Sequence, residues 1–218
     1  MNIKLLSILL LCFSTIMIGC TTRPLTQIKA NYDLDNLALN GVVFGSLTQS
    51  RGEAVSLLYF LNENNKWSVY TESREEGFFG YKDGDFHNVE GKLFVFEVPD
   101  GKYKISTWTI KRGIDVFISP RVKPFPIEFS VEKGKVTYIG NIHLNFRIGQ
   151  NLFGMNMVFG GYPSIKDEFK RDYKTFNLMY PTLANIPYVK KIPFTGPWLK
   201  ELESVIDIPI SPVPILNQ

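Results

Sequence analysis

Few side chains in this 218-residue sequence are of a kind that carries chemistry. There are two histidines, His87 and His143, and two cysteines, Cys12 and Cys20. No HExxH, CxxC, GxSxG or phosphate-loop pattern occurs, so no spacing calls for zinc, a redox pair, a hydrolase elbow or a nucleotide cradle. His143 falls on the polar face of an alternating run, where an exposed histidine is expected rather than a ligand. Ser56, Ser106 and Ser130 sit inside β-rich runs without a supporting motif, which leaves a nucleophilic triad unmotivated. Asp83-Gly84-Asp85 with Glu90 is the tightest acidic group, yet it lacks calcium-loop spacing and reads as a solvated turn. We therefore expect no catalytic residue, no metal and no cofactor.

Binding chemistry has one candidate stretch, Arg74 to Gly91. It sets Phe78, Phe79, Tyr81 and Phe86 among Gly77, Gly80, Gly84 and the charged Arg74, Glu75, Glu76, Asp83 and Asp85. Flat rings on a glycine-rich loop offer contact area to sugars or peptides at low entropic cost. The same rings could fold back as lids on a sheet edge. With Trp67 and Tyr70 on the preceding strand as neighbours, the candidate ligand-binding set is Trp67, Tyr70, Phe78, Phe79, Tyr81 and Phe86.

The N-terminus carries a more specific chemistry. Lys4 supplies a positive start, Leu5 to Ile18 an apolar run, and Gly19 a small residue before Cys20. The run falls short of the about 20 apolar residues a membrane-crossing helix needs. Met17-Ile18-Gly19-Cys20 resembles the cleavage site of bacterial lipoproteins, which implies removal of residues 1–19 and lipid on Cys20. Thr21 stands where an inner-membrane retention signal would often be Asp, so by resemblance to that sorting rule the expected place is the periplasmic face of the outer membrane.

The charge balance excludes little else. Removing Lys4 from 24 basic residues leaves 23 against 21 acidic, with no clustering of the kind nucleic-acid binding shows, and no nucleic-acid partner is expected. Cys12 leaves with the leader, so the mature chain has no internal disulfide and must gain its stability from burial. Its 17 Phe and 10 Tyr supply bulky core material.

Residues 20–40 are polar and without sustained period, a tether by composition. From Gly41 to Tyr162 short β-rich runs alternate with turn signals: Gly41–Leu47, Ala54–Leu61, Lys66–Glu72, Leu93–Val98, Lys102–Ile110, Phe125–Val131, a long run from Val136, and Leu152–Phe159. In the long run Val136, Tyr138, Gly140, Ile142, Leu144 and Phe146 share one face by alternation, with Thr137, Asn141, His143, Asn145 and Arg147 opposite. Seven or eight such runs predict an antiparallel β-sandwich. Residues 163–183 then read as a packing helix, with Ser164 and Asp167 as a capping-box-like start and Ile165, Phe169, Tyr173, Phe176 and Tyr180 as its apolar stripe, ended by Pro181. In 184–218, Pro197 to Leu202 reads as the opening of a short helix, and Asp207 to Gln218 is extended by Pro209, Pro212 and Pro214. That tail either docks along the domain or meets another protein.

Val98-Pro99-Asp100-Gly101-Lys102-Tyr103-Lys104-Ile105 and the later Phe129 to Gly140 segment resemble uncharacterised bacterial lipoproteins with a transthyretin-like or carboxypeptidase-regulatory-like sandwich. The helix ending at Tyr180-Pro181 fits that resemblance, which spans about Gly41 to Leu183. It implies a mainly β, transthyretin/Ig-like fold with a C-terminal helix, and speaks hardly at all to activity. The expectation is a membrane-anchored envelope lipoprotein with a non-catalytic binding or structural sandwich, partnered by the membrane and by an envelope protein or glycan. Two alternatives stand beside it: a carbohydrate- or peptidoglycan-binding module using the 74–91 loop, and an accessory lipoprotein of a secretion assembly.

Overall fold

The structure is a computed structural model that describes residues 22–64, 66–77, 80–82 and 84–198. Cys20, Phe78, Phe79, Asp83 and the Pro-rich tail lie outside the described residues. In chain order the strands are β1 (Arg23–Pro24), β2 (Asn40–Gln49), β3 (Val55–Asn62), β4 (Ser68–Glu72), β5 (Glu76–Gly77), β6 (Gly80–Tyr81), β7 (Glu90–Pro99), β8 (Gly101–Arg112), β9 (Val116–Ile118), β10 (Ile127–Val131), β11 (Val136–Gln150), β12 (Asn156–Lys166), β13 (Tyr188–Lys190) and β14 (Gly196–Pro197). The α-helix α1 covers Phe169–Met179. One sheet runs β1-β4-β3-β8-β10 with β9 beside β8; the other runs β14-β12-β11-β2-β7 with β13 beside β11. The described residues are thus mainly β, two six-stranded sheets with a small β5–β6 hairpin and one α-helix, which fits a β-sandwich.

Alternation explains the first sheet. Val69 and Thr71 of β4, Tyr103 and Ile105 of β8, and Ile127, Phe129 and Val131 of β10 are buried while their neighbours are less so. They meet Val43, Leu47, Phe94 and Phe96 of the second sheet in the inner core. The second sheet is covered on its other face too. There Val42, Phe44, Val95, Val136 and Tyr138 pack with Phe176 and Tyr180 of the helical segment and with Tyr32 and Leu37 before β2. Burial on both sides is why β2 is buried along almost its whole length and places Val42, Val43 and Phe44 in succession, a pattern common in parallel sheets. Its pairing with β11 is indeed parallel, inside a sheet otherwise largely antiparallel. Phe176 stacks on Phe44 with ring centroids 4.5 Å apart, so the aromatic stripe of the helix packs on its own sheet.

Four local readings change. The stretch read as a tether is docked from residue 22 onward: Arg23 and Pro24 pair in parallel with Val69 and Tyr70, and Leu25 N–H donates to Tyr70 O. Further along, the Gln27 amide donates to Leu93 O at 3.0 Å and accepts from Val95 N–H at 2.6 Å, imitating a backbone partner for the β7 edge. In β11 the register shifts between Tyr138 and Asn141, where Gly140 has φ +103°. This bulge reverses the alternation, so Val136 and Tyr138 share the helix-facing side with Asn141 and His143, while Ile139 joins Ile142 and Leu144 inside. The helix begins at Phe169, because Ser164 and Ile165 still pair with β11 as part of β12; β12 itself starts at Asn156. Asp167 instead receives Phe169 N–H. Pro197 belongs to β14, and the fully buried Trp198 donates its indole N–H to Phe125 O at 2.8 Å; the remainder of the proposed short helix lies outside the described residues.

Candidate functional site

The polar side chains of β2 and β11 that face α1 form one buried cluster. Asp172, from the first turn of α1, has no solvent exposure. Its Oδ2 accepts from Ser46 Oγ at 2.6 Å and from the Tyr138 hydroxyl at 2.8 Å, and its Oδ1 accepts from Arg171 Nε and Nη2 at 2.9 and 2.7 Å. Burial raises the Asp172 pKa, opposed by these four contacts, and raises that of Tyr138 with the neighbouring carboxylate adding to it. A buried carboxylate needs this many donors to be tolerated at all.

The cluster continues outward. Asn141 Nδ2 donates to Ser46 Oγ at 2.8 Å and to Thr48 Oγ1 at 2.9 Å. Thr48 Oγ1 stands 2.9 Å from His143 Nδ1. Thr48 Oγ1 also stands 3.3 Å from Asn141 Oδ1, so its single proton has two acceptors within reach, the Asn141 carbonyl and His143 Nδ1. Burial, then Lys166 and Arg171, push the His143 pKa down to about 4, so the ring is neutral at pH 7.

His143 lines a cleft of about 910 Å³ with Gln49, Arg51, Arg74, Phe86 and Glu90. Gln49 holds its inner wall: its carbonyl accepts from Ser56 N–H, Ser56 Oγ and Ser73 Oγ at 3.0, 2.9 and 2.6 Å. Its amide donates to Ala54 O at 2.7 Å and Glu90 Oε2 at 3.4 Å. Arg74 closes on the same Glu90 at 3.2 Å. The outer wall is the loop before β7, fixed by Asp85 Oδ2 accepting Leu93 N–H at 2.7 Å. Burial raises the Asp85 pKa, with the Leu93 amide and Lys92 opposing. The loop meets β2 at Gly91, where a Cβ would come within 2.5 Å of Leu47 O, so a side chain there has no room. Such a wall, with a neutral imidazole, paired charges and the Phe86 ring, matches hydroxyl-bearing ligands better than a single strong ion.

Of the six residues proposed for ligand binding, the side chains of Trp67, Tyr70 and Phe86 are described and do not gather, while that of Tyr81 lies outside the described residues. Trp67 leans into the inner core, 6.1 Å from Phe96 and 5.9 Å from Tyr103 between ring centroids. Tyr70 points the other way and meets Tyr59 at 5.9 Å. Phe86 does line the cleft, with the Arg171 guanidinium 4.3 Å from its ring centre. Phe78 and Phe79 lie outside the described residues. Arg74 and Phe86 come from the candidate stretch 74–91, whereas Gln49, Arg51 and His143 were missed from sequence; the polar Ser46, Thr48 and Gln49 in β2 were the available signal. Among the described residues no group of three or more His, Cys, Asp or Glu could hold a metal ion, and no helix is long and apolar enough to cross a membrane.

No family model matches the chain, and no curated protein matches it. Among solved structures, a leucine-rich repeat protein from Bacteroides thetaiotaomicron VPI-5482 aligns at 14% identity and a TM-score of 0.26, over 48% of this chain and 14% of its own. So slight a likeness says nothing about the fold or the cleft of this chain.

Proposed function

We propose that this chain is an envelope lipoprotein, held by lipid on Cys20 at the periplasmic face of the outer membrane, whose sandwich is a non-catalytic binding or structural module. The observation that carries this reading is the leader: Lys4, the Leu5–Ile18 apolar run and Gly19 directly before Cys20. The domain supports it through its lack of other thiols, which leaves Cys20 free for acylation once the leader and Cys12 are gone. Cells fed an alkynyl fatty acid should label the wild-type protein and leave Cys20→Ser unlabelled; equal labelling of the two would sink the reading.

The cleft favours a second reading, a saccharide-binding module, because its lining pairs hydrogen-bonding side chains with the Phe86 ring. Pull-down on peptidoglycan should weaken on Arg51→Ala and His87→Ala, since both side chains line the cleft and lie outside the buried cluster. Unchanged retention of both variants would count against the cleft.

A further inference from the structure

The two ends of the sandwich differ, and the route of the chain into β1 tells them apart. Thr22 Oγ1 lies 3.0 Å from Ser68 Oγ, and Arg23–Pro24 run parallel to Val69–Tyr70. The chain therefore enters the fold at the start of β4, beside the turn that joins β3 to β4. Three more turns share that end. Pro99 to Gly101 links β7 to β8, and Glu132 to Lys135 links β10 to β11, with Val131 paired to Gly101. Beside the latter, Gly134 N–H donates to Leu37 O and Asn40 O, placing the short helical turn Leu34–Ala38 there as well. Exposed Leu39, Lys66, Lys102 and Lys133 belong to this end, accompanied by the acidic Glu63 and Asp100.

One residue, Thr21, separates Cys20 from Thr22, so the two Cα atoms are at most about 7 Å apart at full extension. We infer that the end bearing the β3–β4, β7–β8 and β10–β11 turns lies against the lipid surface, and that the cleft opens away from it. This rests on the lipid-anchor reading above. The cleft sits at the opposite end of β2, about 30 Å along a strand of ten residues. The β11–β12 hairpin continues past it to an apolar tip, with Leu152 90% and Phe153 85% exposed, about 45 Å from the start of β11. Charge does not set this orientation, because the basic and acidic side chains at the anchored end nearly balance and are screened at physiological salt. The short covalent link and the docking of residues 22–25 set it.

The mature chain has no thiol besides the acylated Cys20, so single cysteines report cleanly. The lipidated protein, carrying a fluorophore on Lys133→Cys or Leu152→Cys, is incorporated into phosphatidylcholine vesicles containing a headgroup nitroxide lipid. Quenching should be strong at 133 and slight at 152, and the contrast should persist in 0.5 M salt, where the Debye length falls to a few Å (about 4 Å). A flexible Gly-Ser insertion after Thr21 should bring the two sites toward equality. Protein that floats with the vesicles yet is quenched equally at both sites, or more at 152, overturns the orientation alone. Protein that does not float with vesicles overturns the anchor reading, and the orientation with it.

Discussion

Replacing His143 with Asn tests whether the buried cluster controls the ring at the cleft. Asn can set its Oδ1 where Nδ1 stands, keep the Thr48 hydroxyl bond, and cease to titrate. In the wild type, burial first and then Lys166 and Arg171 bring the pKa from 6.5 down to about 4. The folded state favours the neutral ring, so as pH falls the unfolded chain takes the proton first. Stability from this residue is complete above pH 6.5 and is lost progressively as pH falls toward 4. At about 1.4 kcal/mol per pH unit the full drop corresponds to about 3.4 kcal/mol. The ring is only partly buried and solvent screens it, which reduces the expected loss to about 1–2 kcal/mol. For a domain of this size that is about 2–8 °C in melting temperature. Urea unfolding of wild type and His143→Asn at pH 7.5, 6.5, 5.5 and 4.5 isolates the effect, since the carboxylates titrate alike in both proteins. The wild type should lose ground to the variant steadily below pH 6.5. A stability difference that stays flat across this range would refute the burial argument.

Other positions give equally direct tests. Asp172→Asn should cost about 2–4 kcal/mol in urea unfolding, because the new amide faces donors on both sides while Ser46 Oγ already accepts from Asn141 and Arg171. Thr137→Val should stabilise by about 1 kcal/mol, since the buried Thr137 hydroxyl has no hydrogen-bond partner among the described residues and valine keeps its shape. Gly91→Ala should destabilise by about 2–3 kcal/mol and loosen the cleft wall, visible as faster amide exchange in 84–90, because its Cβ would meet the backbone of Leu47 and Thr48.

Much of the sandwich was legible because simple alternation survives wherever one face of a strand is buried. In β4, in the first half of β8 and in β10 every second residue is buried, as period two requires. Alternation failed in β11, where one extra residue at Gly140 reverses the pattern midway and nothing but the glycine marks the place. It failed again at 163–168, because Ser164 and Asp167 suit a helix start as well as the end of a paired strand. Residues 22–28 looked like a tether since their docking uses backbone groups and the Gln27 amide, which leave no apolar period. The site was the least visible part. Its polar residues come from β2, β11 and α1, distant in sequence, and only the fold makes Ser46 a neighbour of Asp172.

The central claim concerns one sulfur atom. The N-terminal peptide of the protein purified from its own membranes can be weighed by mass spectrometry. Cleavage before Cys20 should make this residue the first, with a diacylglyceryl group on Sγ. An N-terminal peptide with unmodified Cys20, or one that begins at Met1, would contradict the account.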